Sequence, residues 1–144
     1  MQAQERQSVI AQVQADELMT AWVALGIDPS FEVLRGPETG LVSLKGQIGG
    51  GGAPFPFGDA TATRASVRLN DGRIGHAMLL GRDHRRTTIA AVIDALCHGE
   101  GDAELIDAKL MPALIKALRD RDQTRAAQTA ATKVDFFTMV RGED

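Results

Sequence analysis

Asn70-Asp71-Gly72 constrains the fold of this chain more than any other stretch, because Asp-Gly supplies the positive φ angles of a tight hairpin and both flanks read as strands. Before it, TRASVRL sets Ala65, Val67 and Leu69 against Arg64, Ser66 and Arg68; after it, RIGHAMLL forms the returning strand. One face of such a pair is buried and the other is wet, which predicts an antiparallel sheet covered by helices on one side. A second pair precedes it. FEVLR, from Phe31, and LVSLKGQI are joined by GPETG, which reads as a turn, and in the latter Val42, Leu44 and Ile48 oppose Ser43, Lys45 and Gln47. The expectation is about four strands in two hairpins.

Helical periods flank the sheet. Val9, Ile10 and Val13, then Leu18, Ala21, Trp22 and Leu25, mark two short helices or one kinked helix, ended by Gly26 and Pro29. After the hairpins, Ile89, Val92, Ile93 and Leu96 form an apolar stripe with Asp83 as its N-cap and Gly99 as its close. A further helix begins near Asp102 with Ile106, Leu110, Leu114 and Leu118 on one face, and Pro112 is expected to kink or restart it. The fold class is therefore α+β in one domain spanning 1–144. It divides into N-terminal helices within 5–25, hairpins across 31–80, helices at 83–98 and 102–131, and an extended C-terminal segment at 134–141.

Charge and cysteine usage narrow the partners. A net charge of −3 argues against a nucleic-acid backbone binder, which usually shows a strongly basic balance. No stretch approaches the ~20 apolar residues that span a bilayer, so no membrane is expected. With one cysteine, Cys97, and no signal-peptide core in MQAQERQSVIAQVQ, the expected location is the cytoplasm.

The chemistry is sparse. The glycine run in IGGGGAPFPFGD, residues 48–59, fails as a phosphate loop, since Gly52 leads into Ala53-Pro54-Phe55-Pro56 where Lys and Ser or Thr would have to enter a helix. His76 shares its face with Ile74, Met78 and Leu80 and reads as a hydrogen-bonded core histidine, while His98 beside Cys97 lacks the paired ligands of a zinc site. Cys97 reads as a small buried hydrophobe, and no serine sits in a nucleophile elbow. Neither a metal site nor a catalytic residue is expected. The segment GRDHRRTT is different: it places Arg82, His84, Arg85 and Arg86 at a helix start, where the dipole is already positive, and such a cluster suits an arriving anion, either a phosphate or a partner's carboxylate.

The C-terminal stretch KVDFFTMVRGED is too apolar to lie free. Phe136, Phe137, Met139, Val140 and Arg141 are expected to dock as an extended segment onto another subunit, or to add a strand to a sheet shared with it. VDFFTMVRGE, residues 134–143, resembles the C-terminus of the G subunit of the bacterial carbon-phosphorus lyase core complex, and other pieces agree in order. These are ETGLV at 38–42, Gly49-Gly50, FGDAT at 57–61, TRASVRL at 63–69, GRD at 81–83 and IDAL at 93–96. After GRD the chain departs from the family's His-Ala-Glu with HRRTTIAA.

This resemblance implies an accessory subunit without catalytic residues of its own, supporting exchange of the adenine of ATP for an alkylphosphonate to give an alkylphosphonate ribose 5-triphosphate. It implies as partners the other subunits of that complex, above all the I subunit, with ATP as substrate of the complex and no cofactor held by this chain alone. The alternative from the residues is a stand-alone small enzyme or binding module for a phosphorylated metabolite, resting on the GRDHRR cluster and the glycine run.

Overall fold

A computed structural model describes residues 1–47 and 54–142, with side chains described for 1–43 and 58–130. Two N-terminal helices, α1 (Ala3–Gln12) and α2 (Ala15–Leu25), lead into strands β1 (Phe31–Gln47), β2 (Pro54–Leu69) and β3 (Ile74–Leu80). Helices α3 (His84–Leu96), α4 (Glu100–Leu105) and α5 (Met111–Gly142) follow, with a π-helical turn at Ile106–Leu110 between the last two. The α+β class and the antiparallel sheet are as expected, with strand order β1-β2-β3.

Among the described residues the sheet holds three strands in place of about four, because GPETG does not turn. Gly36 and Pro37 lie inside β1, where the register against β2 shifts between Val33 and Arg35 and again between Arg35 and Glu38. Gly36 takes φ 75°, and a Cβ there would stand 2.5 Å from the Arg64 carbonyl oxygen. The two extra residues of β1 are thus absorbed as bulges, and Pro37, having no N–H to donate, is tolerated because β1 is an edge strand. The Asn70-Asp71-Gly72 stretch turns the chain as expected, but the positive φ falls on Gly72 alone and not on Asp71: Gly72 has φ 96° and donates to the Leu69 carbonyl at 2.9 Å.

Helix α3 is the centre of the molecule. Ala91 and Ala95 meet β3 so closely that a Cβ on Gly75 would lie 2.1 Å from the Ala91 carbonyl oxygen and 2.4 Å from the Ala95 nitrogen. Glycine is the residue that permits this approach. The other sides of α3 bury Val92, Ile93 and Leu96 in a core with Ile10, Leu18, Trp22, Ile106, Leu110 and Leu114. Asp83 caps the helix as expected, accepting from the Arg86 backbone N–H at 3.0 Å.

Pro112 acts one turn earlier than a simple kink. Its ring would crowd the carbonyl four residues back, and the widened turn at Ile106–Leu110, closed by Met111 N–H to the Ile106 carbonyl, makes room for it. Beyond it α5 runs to Gly142. The extended segment expected at 134–141 is therefore helical: no Gly or Pro interrupts the chain between Pro112 and Gly142, and the Ala-rich stretch before Lys133 favours continuing the helix. The side chains of Phe136, Phe137, Met139, Val140 and Arg141 lie outside the described residues, as does the glycine run at 48–53.

Candidate functional site

The four basic residues Arg82, His84, Arg85 and Arg86 are brought to one end of α3 but used differently. Arg86 turns back to the end of α1, where Nη2 donates to the carbonyls of Ile10 at 2.9 Å and Ala11 at 2.7 Å. It caps a neighbouring helix C-terminus, where orphan carbonyls and the negative dipole end welcome a cation. Burial pushes its guanidinium below the usual pKa, and its Nε is buried without a partner among the described residues. Arg86 is thus a structural clamp. His84 bonds through Nε2 to Thr39 Oγ1 at 2.8 Å, Thr39 bonds to Thr63 Oγ1 at 2.9 Å, and Thr63 donates to the Gly81 carbonyl at 2.8 Å. Arg82 and Arg85 are exposed and have no ion-pair partner among the described residues.

The outward side of the sheet carries more than the sequence suggested. Along β3 the residues alternate exposed and buried from Ile74, so Gly75, Ala77 and Leu79 face α3 while Ile74, His76, Met78 and Leu80 face out. His76 is therefore not a core histidine; it lies on the open face, where Nδ1 meets Ser66 Oγ at 2.7 Å. Its backbone N–H donates to Asp94 Oδ2 at 2.9 Å. The reading failed because both sides of RIGHAMLL carry apolar residues, and the smaller set is the one buried. Met78 and Leu80 are each 60% exposed and Leu41, on β1, 75%.

Beside Met78, one carboxylate serves two cations. Glu38 Oε1 accepts from Arg64 Nε at 2.7 Å and from Arg35 Nε at 3.0 Å, and these contacts, Arg64 first, hold its carboxyl below the usual range. Sequence spacing hid this group, since residues 35 and 38 fall on opposite faces of a regular strand; the Gly36-Pro37 bulge puts them on one. A groove of about 380 Å³ runs past Arg35, Arg64, Ser66, His76 and Met78. Another, of about 290 Å³, lies against Glu38, Leu41, Val42 and Arg64.

A second carboxylate-arginine pair shows the opposite setting. Arg6, 9% exposed, grips Asp107 through Nε at 2.8 Å and Nη2 at 2.9 Å, and with help from the N-terminal ammonium it holds the Asp107 carboxyl at about 2. That pair ties α1 to the π-helical turn. Cys97, half-buried at the end of α3, has its thiol pushed up to about 11, chiefly by burial. A thiol held protonated at neutral pH is a poor nucleophile. Among the described residues no three His, Cys, Asp or Glu side chains converge as metal ligands would, and no helix is long and apolar enough to cross a membrane.

Over residues 1–142 the chain matches the family described as phosphonate metabolism protein PhnG. It is 46% identical over 143 residues to a protein of Rhizobium meliloti (strain 1021) named alpha-D-ribose 1-methylphosphonate 5-triphosphate synthase subunit PhnG, covering 99% of this chain and 91% of that one. The resemblance carried by the ordered motifs from ETGLV to VDFFTMVRGE is borne out, and the chain belongs to the PhnG family of phosphonate metabolism proteins.

Proposed function

We propose that this protein is an accessory subunit, without catalytic residues of its own, of an assembly that makes alkylphosphonate ribose 5-triphosphate from ATP and an alkylphosphonate in organophosphonate catabolism. The phosphonate joins the anomeric carbon of the ribose and adenine leaves. ATP is a substrate of the assembly, held by no cofactor site of this chain, and the assembly works in the cytoplasm. The relative's printed role supports the reaction class.

The observation that carries the subunit role is the edge strand β1. It runs 17 residues along the outside of the sheet, and Phe31, Val33, Leu34 and Leu41 are exposed on it. A long, apolar, unpaired edge invites pairing with another chain, and monomeric proteins usually blunt or cover such edges. The principal partner is the I subunit, which covers this edge. The end of α5 makes a second contact: Phe136, Met139 and Val140 are spaced i, i+3, i+4, with Phe137 and Arg141 following the same period, the pattern of a helix laid in a groove. At the α3 start, Arg82 and Arg85 meet a partner carboxylate or a substrate phosphate, with His84 beside them and Arg86 holding the helix in place.

Co-purification with the other subunits, followed by an adenine-release assay, tests this reading. Omitting this chain should abolish adenine release, and Leu34→Asp with Leu41→Asp should break co-purification while the free chain still melts cooperatively. The competing reading, a stand-alone module for a phosphorylated metabolite, draws on Arg82 and Arg85, which have no ion-pair partner among the described residues. Turnover of ATP with an alkylphosphonate by this chain alone would decide for it.

A further inference from the structure

We propose that the outer face of the sheet carries a binding site for a phosphonate or phosphate dianion, built from Arg35, Arg64, Ser66 and His76, with Met78 as its apolar wall. The choice of ligand rests on the function proposed above; the site itself rests on placement. Two neighbouring rows of the sheet make it: Arg35, Ser66 and His76 lie opposite one another across the three strands, and Glu38, Arg64 and Met78 form the next row. Cross-strand neighbours of this kind stand close enough for their side chains to act together.

The charge balance favours an incoming anion. Arg35 and Arg64 share the single carboxylate of Glu38, and both reach the same oxygen through Nε. One negative charge against two leaves the patch positive. It also leaves the terminal amino groups of both guanidiniums without protein partners among the described residues, and those forks suit the geometry of a phosphoryl or phosphonyl group. All three side chains are about half exposed, and ion pairs in that setting hold little stabilisation, so an oxyanion can compete with Glu38 for the arginines.

The Ser66–His76 pair adds to the recognition: with the Ser66 hydroxyl spending its one hydrogen on Nδ1, His76 Nε2–H is the donor left for the anion. Ser66 Oγ and His76 Nδ1 hold each other at 2.7 Å, which orients the imidazole, while His76 Nε2 has no partner among the described residues. A groove of about 380 Å³ is wide enough for a small ligand and lies at the low end for such sites. Met78, 60% exposed beside two guanidiniums, provides the contact a short alkyl substituent would need. The bulge at Gly36-Pro37 is what sets Arg35 and Glu38 on one face, in keeping with the concentration of bulges next to functional sites.

Calorimetric titration of the full chain with methylphosphonate, inorganic phosphate and acetate tests the site. Methylphosphonate and phosphate should bind saturably and acetate far more weakly, with affinity falling as salt rises. Arg64→Gln should weaken binding about tenfold or more. Arg64→Lys, which keeps the charge and loses the fork, should weaken it less. Glu38→Gln should tighten it several-fold by removing the competing carboxylate, a sign that a purely structural ion-pair cluster does not produce. Absence of saturable binding, equal binding of acetate, or the same affinity in the Arg64→Gln and Glu38→Gln proteins would overturn the site. Loss of the site with adenine release by the assembly intact would leave the subunit role standing. Binding by a chain that the assembly does not need would overturn the subunit role and not the site.

Discussion

Strand β3 buries its smaller face and exposes its larger one. Toward α3 it presents Gly75, Ala77 and Leu79; toward solvent it presents Ile74, His76, Met78 and Leu80. By hydrophobicity alone the order would be reversed. What decides is distance: α3 lies so close that only a residue without a side chain fits between Gly75 and the Ala91–Ala95 turn, so close packing excludes the greasier set. A face that keeps Met78 and Leu80 in solvent is then open for binding, while its opposite is committed to the core.

The strongest way to break this contrast is to add one carbon to each face. Gly75→Ala puts a Cβ 2.1 Å from a helix carbonyl, where backbone must move, and should cost about 3 kcal/mol or more, read as a lowered urea midpoint. Gly40→Ala, on β1, meets nothing within 4 Å and should stay within about 0.5 kcal/mol of the parent. Equal losses at the two positions would mean that closeness to α3 is not what selects the buried face.

The two carboxylate-arginine groups extend the contrast from shape to charge. Asp107→Asn leaves the nearly buried Arg6 without its anion and should cost about 2 kcal/mol. The pH dependence has a definite sign. The folded-state pKa of Asp107, about 2, lies below its ordinary value of 3.8, so the stabilisation is complete above about pH 4 and is lost as pH falls toward 2. Melts of the parent should therefore weaken across that window, and those of Asp107→Asn should weaken less. Glu38→Gln, on the exposed face, removes a carboxyl that is also held low but is screened by solvent, so it should change the acid limb less than Asp107→Asn does. A matching acid loss in all three proteins would remove Asp107 from the account.

Much of this was legible in the chain, and the misses share a cause. The Asp-Gly hairpin, the Asp83 cap, the Gly26 stop and the stripe Ile89, Val92, Ile93, Leu96 are signals within one element, set by local backbone chemistry. The Gly36-Pro37 bulge reads as a turn because Gly-Pro punctuates both, and only pairing with β2 separates them. His76 was assigned to the wrong side because the face of a strand depends on its neighbour's distance. In the same way the basic run Arg82 to Arg86 was legible as a cluster, but the diversion of Arg86 to the carbonyls of Ile10 and Ala11 is a contact across 76 and 75 residues that no spacing announces. The tail's apolar content was plain; its helical form depended on the uninterrupted run from Pro112.

The smallest expected effect belongs where the inner row of the sheet runs out toward the start of α3. Thr63 is fully buried and its one hydroxyl hydrogen goes to the Gly81 carbonyl, so at its contact with Thr39 it can only accept. Thr39 therefore spends its own hydrogen on Thr63 and must accept from His84, which places a hydrogen on His84 Nε2 whether the ring is neutral or charged. Nitrogen-15 spectra of the imidazole should show Nε2–H. Thr39→Val removes the acceptor and the donor together and should cost about 1 kcal/mol or less, because Thr63 keeps its bond to Gly81. Thr39→Ser should restore both the stability and the spectrum. A neutral ring carrying its hydrogen on Nδ1 in the parent would show that the relay runs the other way, and that Thr63 does not hold its hydrogen on the Gly81 carbonyl.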